Sequence, residues 1–140
     1  MHHSSAYHIG YADGASCWTQ NLALAAWALY TPSHVLVHSS GICLGLVTNN
    51  QDEYGSVIGI LVEASHCHIH HLSILLDSQL VVLQLNNVYH VHDPFLFHKY
   101  LQVRLLYHNF DSITFSHIPR NLNQVVDHMD NLVLYWNLSH

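Results

Sequence analysis

Four carboxylates stand out by where they fall. Asp13 closes the apolar stretch Tyr7–Ala12, and Asp77 closes Leu72–Leu76; both stretches have the length and composition of strands. Glu53 sits in the first turn of a segment whose apolar residues Val57, Ile60, Leu61 and Ala64 step by three and four, as on one helix face. Asp127 lies on the polar side of a last amphipathic segment, about Asn123 to Trp136, opposite Val125, Val126, Met129, Leu132, Val133 and Trp136. If the two strands are parallel neighbours, their terminal carboxylates lie about 5 Å apart in the strand-spacing direction. Carboxylates so close repel one another unless a cation shares them, and hard oxygen donors favour Mg2+ or Mn2+. Two such ions about 3.5–4 Å apart stabilise both the attacking and the leaving oxygen of a phosphodiester displacement. Counting alone does not require this. The chain has nine Asp and Glu residues, and ordinary caps and surface acids would place as many at element ends.

The elements that must position these residues follow in order. Tyr7–Ala12 reads as a first strand, and Asp13-Gly14-Ala15-Ser16 as a sharp turn that could lie close to a ligand. Residues 22–46 read as two antiparallel hairpin strands, broken at Pro32-Ser33, with a turn expected at Ser39-Ser40-Gly41. Thr48-Asn49-Asn50-Gln51 caps the helix that carries Glu53, where the helix dipole favours a carboxylate in any case. Ser65–His71 connects that helix to the strand ending at Asp77, a carboxylate at the C-terminal edge of a sheet, where ligands bind in open α/β folds. Ser78 reads as an N-cap and Asn86-Asn87 as a stop. Asp93-Pro94 opens a further helix carrying Phe97, Leu101 and Leu105 and ending near Asn109. Ser112–Ser116 alternates as a half-buried strand ended by Pro119. The order implies one α/β domain over residues 1–140, a mixed sheet with helices on it, without internal repeat or linker.

Composition bounds the function. Half of the 140 residues are hydrophobic, enough for a real core, while only 9% are charged. Lys99, Arg104 and Arg120 are the only lysine and arginines, and the formal net charge is −6, so the basic footprint of a nucleic-acid binder is missing. The 16 histidines could supply part of it below about pH 6.5. Cys17, Cys43 and Cys67 lack C-x-x-C spacing and are odd in number, which fits a reducing, intracellular setting such as cytoplasm or nucleus. No apolar run approaches the roughly 20 residues of a membrane helix, so no membrane partner is expected. The abrupt start and the end on Ser139-His140 suit a piece of a longer polyprotein.

Four motifs taken together carry a resemblance. Asp13-Gly14-Ala15-Ser16, Thr48-Asn49-Asn50-Gln51-Asp52-Glu53-Tyr54, Asp77-Ser78-Gln79-Leu80-Val81-Val82, and His117-Ile118-Pro119-Arg120 with Asn123 and Asp127 resemble the ribonuclease H domain. They look most like the version in plant long-terminal-repeat retrotransposon polyproteins, over about residues 7–135. The resemblance implies an α/β ribonuclease H-like fold, with a five-stranded mixed sheet ordered 3-2-1-4-5. It implies that Asp13, Glu53, Asp77 and Asp127 bind two Mg2+ ions, with Mn2+ as a substitute. The reaction would be hydrolysis of the RNA strand of an RNA–DNA hybrid, leaving 3′-hydroxyl and 5′-phosphate ends. His117 would sit on a loop and relay a proton or help release product. Gly14, Ser16, Asn49, Asn50, Gln79 and Asn123 would contact the hybrid, where 2′-hydroxyls in the minor groove mark the RNA strand; Ser16 or Arg120 would touch a backbone phosphate. The domain would be fused to, or associated with, a reverse transcriptase.

The chain departs from the family pattern in places. Cys17-Trp18-Thr19-Gln20-Asn21 lacks the usual Gly and Pro, Trp27 stands among small residues, Met129-Asp130 replaces the common Leu-Ala, and no basic protrusion is present. A second reading is therefore a weak or inactive structural module of a reverse transcriptase. A third rests on His66, His68, His70 and His71: an extended segment would put His66, His68 and His70 on one side, able to take Zn2+, Ni2+ or Cu2+. A solvated helix-to-strand loop is the plainer account of that run.

Overall fold

The computed structural model describes residues 6–17, 22–45 and 49–119. In chain order the elements are β1 (His8–Cys17), β2 (Leu22–Tyr30), β3 (Leu36–Gly45), α1 (Asn49–His66), β4 (His71–Leu76), α2 (Gln79–Leu85), α3 (Pro94–Tyr107) and β5 (Ser112–His117). One five-stranded sheet has the order β3-β2-β1-β4-β5, as expected for a ribonuclease H-like fold. β1 pairs antiparallel with β2 and parallel with β4; β4 pairs parallel with β5. The amphipathic segment 123–136, with Asn123 and Asp127, and Arg120 lie outside the described residues.

Register decides which face is core. Ala12 pairs with Trp27 and with Leu76, Gly10 with Leu29 and with Ile74, Leu72 with Ile113, and Ile74 with Phe115. All of these residues are buried, and α1 covers the face they form with Val57, Ile60, Leu61 and Ala64, each fully buried. The period-2 alternation of β4 is plain: Leu72, Ile74 and Leu76 are buried, while His71, Ser73 and Leu75 are half-buried. Two close approaches require glycine. A Cβ on Gly10 would meet Ile60 Cγ2 at 2.8 Å, and one on Gly59 would meet Trp27 Nε1 at 2.3 Å. The bulk of Trp27 on β2 is thus matched by the absence of a side chain on α1.

The structure corrects two expected turns. Asp13-Gly14-Ala15-Ser16 is not a turn: β1 runs through it, paired with Ala26, Ala25, Leu24 and Ala23 of β2. Nor is Ser39-Ser40-Gly41, which pairs with Ala28, Trp27 and Ala26 in mid-ladder. Small residues also suit backbone flanked by close neighbours, and local composition does not separate the two uses. The hairpin reverses at Thr31–Val35, around the expected break at Pro32-Ser33; there His34 takes φ 66°, Thr31 N–H donates to the Val35 carbonyl at 2.8 Å, and Val35 N–H donates to Thr31 Oγ1 at 3.0 Å.

The helix ends follow sequence chemistry. Ser78 Oγ accepts from Val81 N–H at 3.4 Å and caps α2; Asp93 Oδ1 accepts from Phe95 N–H at 2.8 Å and caps α3. At the C-termini of α1 and α2, His68 (φ 56°) and Asn87 (φ 62°) adopt the left-handed conformation. Ile69 N–H reaches Ala64 O and His68 N–H reaches Ser65 O; Val88 N–H reaches Leu83 O and Asn87 N–H reaches Gln84 O. Both are Schellman endings. α3 is oriented otherwise than its apolar series suggests. Phe97, Leu101 and Leu105 face solvent, and Leu96 and Val103 are the residues it buries. Among the described residues, no helix is long and apolar enough to cross a membrane.

Candidate active site

The sheet itself brings the first two acids together. The β1–β4 ladder ends at the pair Ala12↔Leu76. Asp13 and Asp77 are the next residues on these parallel neighbours, whose spacing is about 4.8 Å. Asp13 is not at the end of its strand, as expected, but at the point where β4 leaves it while β2 stays paired. On the other side of β4, Leu76 pairs with His117, the last residue of β5, and Ile118 N–H donates to the Leu76 carbonyl at 2.8 Å. Ala12, Leu76 and His117 therefore form one rung, with Asp13 and Asp77 one step beyond it. His117 is exposed there.

Glu53 arrives from the helix. β3 ends at Gly45, beside Ala23 and so near the Ser16 end of β1, and α1 begins a few residues later. α1 ends in the turn that feeds β4 at His71, next to the pair His8↔Leu72 at the opposite edge. It thus runs antiparallel to β1. Ile60 packs over Gly10. Glu53 precedes Ile60 by seven residues, about 10 Å along a helix axis. Asp13 follows Gly10 by three residues, about 10 Å along a strand. The two displacements match, so Glu53 stands at the level of Asp13 and Asp77. It is 4% exposed, whereas Asp77 is half-buried.

The remaining expected residues fall around this edge. Gly14 and Ser16 lie farther along β1, opposite Ala25 and Ala23. Asn49 and Asn50 open α1, with Asn50 half-buried, and Gln79 is exposed at the start of α2. Asn123 and Asp127 lie outside the described residues. Arg104 is turned inward: its guanidinium lies 5.1 Å from the Tyr100 ring centre and 5.3 Å from that of Tyr107, and it donates to the Leu85 carbonyl.

Two neighbours of Glu53 escaped the sequence reading. Asp52 is fully buried, neither carboxylate oxygen meets a hydrogen-bond donor among the described residues, and burial pushes its carboxyl up to about 7. The signal was Ser56 and Gly59, small residues four and seven positions on, which mark a second closely packed stripe of α1. Tyr54 is also fully buried and donates from Oη to Gln84 Oε1 of α2 at 2.9 Å. Burial, aided by Tyr100 and opposed by Arg104, holds its phenol above the usual range.

The histidine run does not converge. His66 ends α1, His68 occupies the left-handed turn position, and His71 begins β4 with Nε2 3.9 Å from Asp111 Oδ2. The segment is not extended, so His66, His68 and His70 do not share a side. Among the described residues, no three His, Cys, Asp or Glu side chains form a group that could hold a metal.

A five-stranded 3-2-1-4-5 sheet with acids on this edge is the ribonuclease H fold. The family comparison agrees. The "Reverse transcriptase-like" family model matches residues 12–132, and the chain belongs to that ribonuclease H-like family. It is 34% identical over 124 residues to ribonuclease HI of Halobacterium salinarum, covering 89% of this chain and 62% of that protein. It is 31% identical over 121 residues to the bifunctional protein Rv2228c of Mycobacterium tuberculosis, covering 86% of this chain and 33% of that one. The chain thus spans less than two thirds of the curated relatives it matches. The crystal structure of the Halobacterium RNase H1 superposes with a TM-score of 0.80 at 33% identity, over 87% of this chain and 92% of the other. LC11-RNase H1 in complex with an RNA/DNA hybrid does so with 0.79 at 25% identity, over 86% and 91%.

Proposed function

We propose that the chain hydrolyses the RNA strand of RNA–DNA hybrids, with Asp13, Glu53, Asp77 and Asp127 holding two Mg2+ ions. The observation that carries this reading is the meeting of Asp13 and Asp77 one step beyond the same rung, with Glu53 level with them. The donors are carboxylate oxygens, which fit Mg2+ or Mn2+ better than a softer metal. When bound, the ions would stabilise charge developing on the attacking and leaving oxygens of the phosphodiester. The chain's own residues do the rest. His117, exposed at the β5 end, takes up or hands on a proton at its imidazole. Gly14, Ser16, Asn49, Asn50, Gln79 and Asn123 bind the hybrid, and contacts to 2′-hydroxyls select the RNA strand for cleavage. The products carry 3′-hydroxyl and 5′-phosphate ends.

The partner in this reading is a reverse transcriptase, fused or associated, of a plant-type long-terminal-repeat retroelement, working in cytoplasm or nucleus. The family's description and the scarcity of cations support it: tethering supplies the effective concentration that a weakly basic domain lacks. The test is cleavage of a labelled hybrid, with and without Mg2+, beside a DNA duplex of the same sequence. Cleavage of the hybrid alone, dependent on Mg2+, is expected; activity that survives in Asp77→Asn sinks the assignment. The inward-turned Arg104 favours a second reading, a silent structural module. Calorimetry separates the two, because a silent module shows no hybrid-stimulated Mg2+ binding.

A further inference from the structure

We propose that the buried hydrogen bond between Tyr54 and Gln84 is a positioning device, fixing α2, and with it the turn at Asp77, relative to Glu53. This inference rests on the reading of the site given above. α2 has seven residues, too few to persist without tertiary support. It begins two residues after Asp77, so any shift of α2 is a shift of that carboxylate's turn. Its C-terminal end is held at four successive residues. Gln84 Oε1 accepts from Tyr54 Oη of α1 at 2.9 Å, the Leu85 carbonyl accepts from Arg104 of α3, Asn86 Nδ2 donates to the Phe115 carbonyl of β5 at 3.1 Å, and Asn87 Oδ1 accepts from Tyr100 of α3. Of these four ties, the one at Gln84 leads to the helix that carries Glu53, through the residue next to it. Tyr54 is fully buried and Gln84 is 6% exposed, so water does not readily replace either partner. A buried, geometrically fixed bond from the helix that carries Glu53 to the helix that follows Asp77 ties the positions of those two acids together. Tyr54 and Gln84 are positioning residues; neither is placed on the reacting atoms.

The experiment compares wild type, Tyr54→Phe, Gln84→Leu and the double variant Tyr54→Phe/Gln84→Leu. Three quantities are measured: Mn2+ affinity by titration of the chain alone, hydrogen exchange of amides 77–85, and thermal stability. Tyr54→Phe should weaken Mn2+ binding by up to about tenfold, the lower end of what disturbing the surroundings of metal ligands costs, and should speed exchange in 77–85. The double variant removes both polar groups and should regain stability, but not Mn2+ affinity, because apolar contact does not set a distance as a hydrogen bond does. Unchanged Mn2+ affinity in Tyr54→Phe overturns the proposal, as does a double variant in which affinity recovers along with stability. If wild type itself binds no Mn2+ and cleaves no hybrid, the reading of the site fails and this inference falls with it; that failure appears in the wild-type arm, before any variant is compared.

Discussion

At its first turns α1 buries Asp52 completely and Glu53 to 4% exposure; at its last turn it leaves His66 in solvent, followed by exposed Cys67 and His68. Both ends are dense in groups that can titrate or ligate. The first end lies level with the sheet edge where Asp13 and Asp77 follow one rung, and there Asp52 and Glu53 lose water. At the last end a Schellman turn, sealed by buried Ile69, holds the histidines outward and apart. Density of reactive side chains therefore does not mark the chemistry. Burial is what distinguishes the first end, because a desolvated charge demands a partner that a solvated one does not need.

The largest effect expected from this contrast is at Glu53. Glu53→Gln keeps the shape and removes the charge. It should lower hybrid cleavage at least about 100-fold, since ion-mediated stabilisation of the transition state is worth several kcal/mol and about 1.4 kcal/mol is tenfold. Replacing His66, His68 and His70 together with Ser should leave cleavage within about twofold, because none of them converges on another. If the triple variant lost as much activity as Glu53→Gln, the two ends of α1 would be equivalent and the distinction would collapse.

Asp52 gives the next largest effect, on stability. Its folded-state carboxyl sits at about 7, above the usual 3.8. A raised carboxyl favours the folded state while it stays protonated. Stability is therefore fullest below about pH 4, declines as pH rises toward 7 and levels off above it. Asp52→Asn removes the ionisation. In metal-free buffer the variant should match wild type near pH 4 and exceed it at pH 8 by about 2–4 kcal/mol, from roughly three units at 1.36 kcal/mol each as an upper bound. Urea denaturation at the two pH values measures the difference. A gap that does not grow with pH would show that the carboxyl ionises freely in the fold.

These cases show where the sequence was legible. Val57, Ile60, Leu61 and Ala64 announced the buried face of α1, and the short apolar run before Asp77 announced β4, because periodicity is imposed by a single large core. The expected strand order is the observed one. Asp13-Gly14-Ala15-Ser16 and Ser39-Ser40-Gly41 misled, since Gly and Ser serve both turns and strands hemmed in by neighbours. Phe97, Leu101 and Leu105 share a helix face, but Leu96 and Val103 share another and won the core, a choice made by α1 across the interface rather than within α3. Of the proposed acids, Asp77 follows the end of β4 and Glu53 lies early in α1, as read from the sequence, while Asp13 lies within β1 rather than at its end. Asp52 was not readable, because what singles it out is the packing around Ser56 and Gly59, and no pattern in the chain gives the Tyr54–Gln84 bond.

The smallest effect belongs to the histidine end and bears on what that end is for. His68 holds φ 56°, a conformation that costs a residue with a Cβ and costs glycine almost nothing. Its backbone N–H and that of Ile69 close the helix onto Ser65 and Ala64, and no contact of its imidazole has a part in that closure. If the turn is the whole of its role, His68→Gly should stabilise the fold by about 0.5–1 kcal/mol, the relief of strain outweighing the greater freedom of glycine in the unfolded chain. A shift of the urea midpoint at unchanged slope reads this directly. A destabilised His68→Gly variant would mean that the imidazole makes a contact worth more than the strain. The last turn of α1 would then be a second place where side-chain chemistry, rather than backbone geometry, decides the residue.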